Sequence, residues 1–324
     1  DCILSGLLKK MIGNAINNKN ITYRKDIDGL RAISILLVVF YHLRFKFASA
    51  GFIGVDIFFI ISGYLITSKI LKDIKLNCFS FKTFYLGRIK RILPALTVVL
   101  LVVSIAVYFL FYPNDIRLYA HSLIATLCFA SNLYFWRYQN ATSYFSIFSG
   151  KIPLLHTWSL GIEEQFYILW PLFIYLIYRY KKNSYFLKIS IFCTILSFGC
   201  YLFFHRDENF TYYSPMARAF ELLLGAIAAI NPDYISTFKS KYTGHFLSLC
   251  ALVMMIVPAC LLDKSQLPSA YILLPCIGAV LFIKIGEQHS FIANQLLSNP
   301  ITVFIGLISY SLYLWHWPLI VFAN

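Results

Sequence analysis

The 324-residue chain is 59% hydrophobic and only 13% charged, with a mean hydropathy of +0.70, a balance that excludes a soluble globular domain and makes lipid the solvent for most of its surface. Its formal net charge of +14 does not point to nucleic acid, because Lys and Arg form short clusters between apolar runs rather than one basic face. The eight cysteines are scattered without metal-site or redox spacing, so neither a disulfide framework nor a metal is expected.

The chain opens on Asp1-Cys2-Ile3 without Met and stops at Asn324 in or just after an apolar run, so it is expected to be incomplete at both ends. The first long apolar run begins near Leu30 and another span follows it, which argues against a cleavable signal. Spans are expected over 30–45, 52–71, 92–112, 117–136, 157–178, 186–205, 216–231, 246–262, 269–285 and 301–323, since roughly 20 apolar residues cross the hydrocarbon core. Lys9, Lys10, Lys19, Arg24 and Lys25 precede the first of these. Lys69, Lys72, Lys75, Lys82, Arg88, Lys90 and Arg91 separate the second from the third. Both clusters are cytoplasmic by the positive-inside rule.

Segment 117–136 is the exception. If it crosses, Arg179, Lys181, Lys182, Lys239, Lys241 and Lys284 all fall outside; if it lies flat or re-enters, all six fall inside. His121, Ser122, Ser131 and Asn132 interrupt it, and the second arrangement is expected. The result is an all-α polytopic transmembrane bundle of about nine to ten spans with a cytoplasmic amino end.

Within this frame the ionisable residues are the informative ones, because charge inside a membrane is expensive and marks function by default. Arg31 and His42 are eleven residues apart, about three helical turns or roughly 16 Å along nearly one face. Taken singly, Arg31 could snorkel to the interface and His42 could be a satisfied end group. Asp56 opens the second span at the depth of His42, where it could cap the helix or orient an imidazole acting as a base on a hydroxyl. His156 and Glu163 share a face of the stretch that also holds Trp158, Ser159, Glu164 and Tyr167. Of the adjacent acids Glu163 and Glu164, one must point elsewhere; the other could bind sugar hydroxyls. Arg88, Lys90 and Arg91 read either as a topology anchor or as a phosphate clamp. Arg218 and Glu221, three apart, are expected to pair with each other. Ser309 and His316 share a face, and His316 reads as a packing group more readily than as a second base.

Four stretches taken in order resemble the acyltransferase-3 family of membrane acyltransferases, typified by bacterial O-antigen acetylases. They are Tyr23 to Ala32 with His42, Gly54-Val55-Asp56 with Ser62-Gly63-Tyr64, His156 to Tyr167, and Tyr310 to His316. The resemblance covers residues 23–324 as a membrane acyltransferase domain, behind a cytoplasmic segment 1–22. It implies a core of ten helices, the last missing here. It implies transfer of an acyl group, usually acetyl, from cytoplasmic acetyl-CoA to an extracytoplasmic glycan such as O-antigen or another surface polysaccharide, in the bacterial inner membrane, with no bound cofactor. Arg31, His42 and Asp56 map onto the family's catalytic positions. Arg88 and Lys90 occupy the family's Arg-any-Arg positions, with Gly87 where another Arg often stands, which weakens bidentate phosphate binding there. Arg88, Lys90, Arg91, Glu163, Glu164, Trp158, Arg218 and His316 are the expected substrate- or donor-binding residues. The expected partners are acyl-CoA, the glycan or its lipid-linked form, and the bilayer, with no nucleic acid. The rival class is a transporter or flippase of a lipid-linked or sugar substrate, which would also bury paired charges; no inverted repeat supports it.

Overall fold

The computed structural model describes residues 23–138, 152–179, 183–230, 241–263, 266, 268–287 and 291–323. The expected segment 1–22 and the loop residues Lys181, Lys182 and Lys239 lie outside them. No strand occurs among the described residues, as lipid demands: without water, backbone groups must be satisfied within each helix. The helices are α1 (Lys25–His42), α2 (Gly54–Lys75), α3 (Phe81–Leu110), α4 (Pro113–Leu127), α5 (Ser131–Tyr138), α6 (Thr157–Arg179), α7 (Asn183–Phe203), α8 (Glu208–Tyr213), α9 (Pro215–Ile230), α10 (Lys241–Leu261), α11 (Leu273–Gly286), α12 (Ile292–Leu297), α13 (Pro300–Leu307) and α14 (Ser309–Ala323).

Each expected span except 117–136 coincides with one helix or with the α13–α14 pair, but fewer than nine qualify as crossings. Six helices among the described residues are long and apolar enough to cross a membrane, and a seventh crossing exists if α13 and α14, bent by 66°, count as one. The chain is a multi-pass membrane protein. Helix α1 carries Lys25, Asp26, Asp28 and Arg31 within 18 residues, and α11 has only 14, so neither meets the same standard.

Segment 117–136 is not one helix. It breaks between α4 and α5, where Phe129 takes a φ of 52°, and the polar residues noted in the sequence close the gap. Ser131 Oγ donates to the Thr157 carbonyl at 2.8 Å, and Asn132 Nδ2 donates to the Tyr213 carbonyl at 3.1 Å. Gln165 Nε2 donates to the Phe129 carbonyl at 2.9 Å. A break at such a place survives only when its freed backbone groups find partners in the protein.

Helices α2 and α9 form the most extensive pairing, followed by α9 with α7. Small residues set that closeness: a Cβ added to Gly63 would collide with the Leu222 carbonyl, and one added to Gly225 with the Ile60 carbonyl. Between helices in lipid, where water supplies no driving force, this backbone approach is what packing rests on. Because the obstacle in each case is backbone, Gly225→Ala should cost at least the usual overpacking penalty of about 1–3 kcal/mol. The check is the thermal midpoint of the detergent-solubilised protein, which should fall; an unchanged midpoint would show that α2 and α9 can separate freely.

Candidate active site

Helix α1 puts Arg31 and His42 on one element, and each reaches a different environment. Arg31 lies in the wall of a cavity of about 820 Å³, its open mouth included, whose polar lining comprises Arg31, Ser62, Arg88, Arg91, Ser159, Glu163, Tyr167, Ser309, Tyr310 and Tyr313. Five helices contribute: α1, α2, α3, α6 and α14. Three guanidinium groups and one carboxylate face the same space, a strongly cationic surface with apolar flanks from Val55, Phe58, Phe59 and Leu160. Such a lining suits a ligand that carries several negative charges at one end and an apolar arm at the other.

The wall is preorganised. Arg31 Nη1 donates to Asp28 at 3.3 Å, one turn back on α1. The Arg88 guanidinium lies over the Tyr167 ring, 5.5 Å from its centroid, and 5.9 Å from that of Phe84, a cation–π seat that holds the charge without neutralising it. Glu163 accepts from Ser62 Oγ at 3.0 Å and from the Tyr167 hydroxyl at 2.9 Å. The bend before α14 brings Ser309 and Tyr310 into the wall, and the Tyr310 hydroxyl donates to the Ile92 carbonyl at 3.2 Å.

His42 lies elsewhere, in a cluster of imidazoles. Its ring centroid is 5.2 Å from that of His316 and 4.8 Å from that of Trp317, while His156 is 5.7 Å from His316. Tyr313 joins this cluster to the cavity. It lines the cavity, its ring lies 5.6 Å from His156 and 5.3 Å from His316, and its hydroxyl donates to the His156 carbonyl at 2.8 Å. The same hydroxyl is 2.6 Å from Ser159 Oγ. A continuous run of side chains thus leads from three arginines, past Glu163, Ser159 and Tyr313, to His42.

Five expectations need correction, the last of them the place of His316. Asp56 does not orient His42. Its Oδ1 accepts from Arg218 Nη2 at 2.6 Å, and its Oδ2 has no hydrogen-bond partner. Glu221 sits on the same guanidinium at 2.8 Å, so the expected Arg218–Glu221 pair exists as part of a buried triad. A full positive charge 162 residues away outcompetes a neutral imidazole for a buried carboxylate. Arg218 and Trp158 are therefore absent from the cavity wall: Trp158 is buried beneath the guanidinium, 5.6 Å from its ring centroid. Asp56 and Arg218 of the triad instead border a smaller recess of about 370 Å³ with Phe52, Tyr201, Glu208 and Tyr212.

Lys90 is the third correction, since it is exposed and forms no part of the cavity, whereas Arg88 and Arg91 do. Residues 88 and 91 are three apart on α3 and share a face; residue 90 is turned away by about 200° from the first. Glu164 is the fourth. It is buried with Oε1 unpartnered, and Glu163 alone of the two acids lines the cavity. His316 joins the His42 cluster rather than the cavity wall.

Ser62, Ser159, Tyr167, Tyr310 and Tyr313 are wall residues that sequence reasoning passed over. The spacing of Glu163 and Tyr167, four apart on one helix, could have found that pair. The Ser159–Tyr313 contact joins residues too far apart in the chain for any spacing to reveal.

Residues 24–324 match the acyltransferase-3 family, described as an acyltransferase domain. Among similar proteins is one named "Putative O-acetyltransferase SAS0844" from Staphylococcus aureus strain MSSA476, 35% identical over 94% of this chain and 52% of its own length. Another is "Putative peptidoglycan O-acetyltransferase YrhL" from Bacillus subtilis strain 168, 34% identical over 93% of this chain and 49% of its own. The peptidoglycan O-acetyltransferase OatA of Listeria monocytogenes serovar 1/2a strain EGD-e is 34% identical over 92% of this chain and 49% of its own. The chain spans about half the length of the curated relatives it matches. No solved structure matches it. With the match covering all but its first residues, the chain belongs to the acyltransferase-3 family.

Proposed function

We propose that this chain moves an acetyl group from acetyl-CoA, presented at the cytoplasmic face of a bacterial membrane, to a hydroxyl of an extracytoplasmic glycan. The observation that carries the reading is the join at Tyr313: a cavity lined by three arginines meets an imidazole cluster through one side chain that belongs to both. The phosphates of the donor take Arg31, Arg88 and Arg91 as charge-assisted hydrogen-bond donors. The thioester arm extends past Ser62, Glu163 and Ser159 towards Tyr313. His42 is the group at which the acyl carbon reacts. The basic cluster between α2 and α3 sits at the arginine end, which the positive-inside rule makes cytoplasmic, and so the His42 end faces outwards. For the acceptor we take peptidoglycan rather than O-antigen, because the names of two relatives specify it.

The test is the purified protein in phospholipid vesicles with radiolabelled acetyl-CoA and an N-acetylglucosamine–N-acetylmuramic acid oligosaccharide. Label should appear in the oligosaccharide as an alkali-labile ester. Movement of the saccharide across the vesicle wall without any ester would replace transfer with transport.

The clamp has its own signature. Arg88→Ala removes a charge-assisted contact worth about 1.5–3 kcal/mol, so the donor KM should rise about ten- to a hundred-fold. Lys90→Ala, outside the cavity, should change it less than about two-fold, the range of a surface charge. Steady-state kinetics in acetyl-CoA decide between them, and equal effects would return the pair to the status of a topology anchor.

A further inference from the structure

We infer that His316 is the base that takes the acceptor's proton, leaving His42 to carry the acyl group; this rests on the reading above. The argument begins with the tautomer. His316 Nδ1 is 2.7 Å from the Tyr313 carbonyl oxygen, and a carbonyl only accepts, so Nδ1 holds the hydrogen and Nε2 presents its lone pair. That Nε2 is buried and has no hydrogen-bond partner. Leaving such an atom unsatisfied costs about 1–3 kcal/mol, and the cost is recovered when a hydroxyl donates to it.

Position adds the second support. Helix α14 carries His316 one turn beyond Tyr313, so the imidazole sits at the His42 end of the run that begins in the cavity. Its ring is 5.2 Å from that of His42, close enough for one acyl carbon to be attacked from a hydroxyl held by the second imidazole. His156 packs on His316 at 5.7 Å. The nearby carboxylates are committed elsewhere: Asp56 and Glu221 to Arg218, and Glu163 to Ser62 and Tyr167. Glu164 keeps an unpartnered oxygen but lies outside the cavity wall. His156, whose ring nitrogens are also unpartnered, packs on His316, whereas the His316 ring packs directly on His42. His316 is therefore the base that the geometry leaves beside His42.

The chemistry balances in two steps. A His42 ring nitrogen attacks the thioester carbonyl; the C–N bond forms, the C–S bond breaks, and the proton of the imidazole leaves with the thiolate, which departs as the thiol. The acceptor oxygen then attacks the acyl-imidazole; the C–O bond forms, the C–N bond breaks, and His316 moves the hydroxyl proton to the released His42 nitrogen. Coenzyme A as its thiol and the acetyl ester are the products.

Hydroxylamine separates this role from a structural one, since it is a strong nucleophile at neutral pH and needs no base, whereas a sugar hydroxyl does. His316→Asn keeps an N–H near the Tyr313 carbonyl but supplies no base. In vesicles with acetyl-CoA, glycan acetylation should fall about a hundred-fold or more. Acetyl hydroxamate formation and the donor KM should stay within about three-fold of the unsubstituted protein. His42→Ala should lose glycan acetylation and should bring hydroxamate formation down to the protein-free rate of acetyl-CoA with hydroxylamine. Loss of both in His316→Asn would make the residue a positioning group, and loss of neither would make it inert; each overturns the assignment. Absence of hydroxamate from the unsubstituted protein would overturn the acyl-carrying role of His42. Failure of that protein to acetylate the glycan at all would instead sink the functional reading.

Discussion

His42→Ala is expected to abolish acetyl transfer while leaving donor binding in place, because His42 is remote from the arginines that hold the phosphates. Arg31 and His42 are eleven residues apart on one helix, roughly 16 Å along its axis, and only Arg31 lines the cavity. A substitution at the reacting centre therefore acts on turnover rather than on affinity. Losing a group that forms the acyl intermediate should cost about three or more orders of magnitude in kcat. Equilibrium binding of acetyl-CoA, measured by calorimetry in detergent, should change by less than about three-fold. The neighbours argue that the fold survives, since His42 ends α1 and is partly exposed, so truncation opens no sealed core cavity. A variant that binds donor normally and transfers at the native rate would move the chemistry off this helix.

Arg218→Met should behave in the opposite way, failing in stability before it fails in chemistry. The guanidinium is 3% exposed and holds two carboxyl groups, Asp56 at 2.6 Å and Glu221 at 2.8 Å, with Phe59, Trp158 and Tyr212 stacked around it. Removing it strands two buried acids, and breaking a buried pair from one side costs about 3–5 kcal/mol. A triple substitution, Asp56→Leu, Arg218→Met and Glu221→Leu, removes every stranded charge and should recover most of the loss, since well-packed apolar replacements of buried ion pairs are often neutral. Chemical unfolding in mixed micelles would measure both. A triple variant no more stable than Arg218→Met would show that the triad does more than satisfy itself. Asp56 links three of the elements in this cluster, because it opens α2, bonds α9 and borders the recess with Tyr201 of α7.

The two substitutions mark a division of labour between the elements. Helices α2 and α9 meet along one seam, through Gly63 and Gly225 at one level and through Asp56 and Arg218 about two turns away, so the pairing is held by backbone approach and by charge together. Helices α1, α3, α6 and α14 assemble around it and supply the arginines, Glu163, Tyr313, His42 and His316, with His156 in the turn just before α6. Tyr310 and His316 both follow the bend, on α14, and six residues at about 100° each put them on different faces of that helix, so Tyr310 lines the cavity while His316 meets His42.

Much of this was legible from the sequence alone. Hydropathy located the helices, because a side chain's preference for lipid is local and needs no knowledge of its neighbours. The broken segment 117–136 could be read from Ser131 and Asn132, whose polarity is likewise local. Arg31, His42, Arg88 and Arg91 stood out for the cost of placing them in or beside lipid, and the cost is a property of each residue by itself. Partnership is a different matter. Whether Asp56 served His42 or Arg218 depended on which group the folded bundle brought within 3 Å of it, and sequence depth alone made His42 the nearer candidate. Lys90 and Arg91 are adjacent in the chain yet fall on different faces of α3, and only the packing of α3 decided which face met the cavity. The imidazole cluster was invisible for the same reason: His42, His156 and His316 come from three distant parts of the chain. Which residues carry charge follows from composition; which charges meet follows from helix packing, because electrostatic pairing acts over a few ångströms and distance in space is set by the tertiary fold.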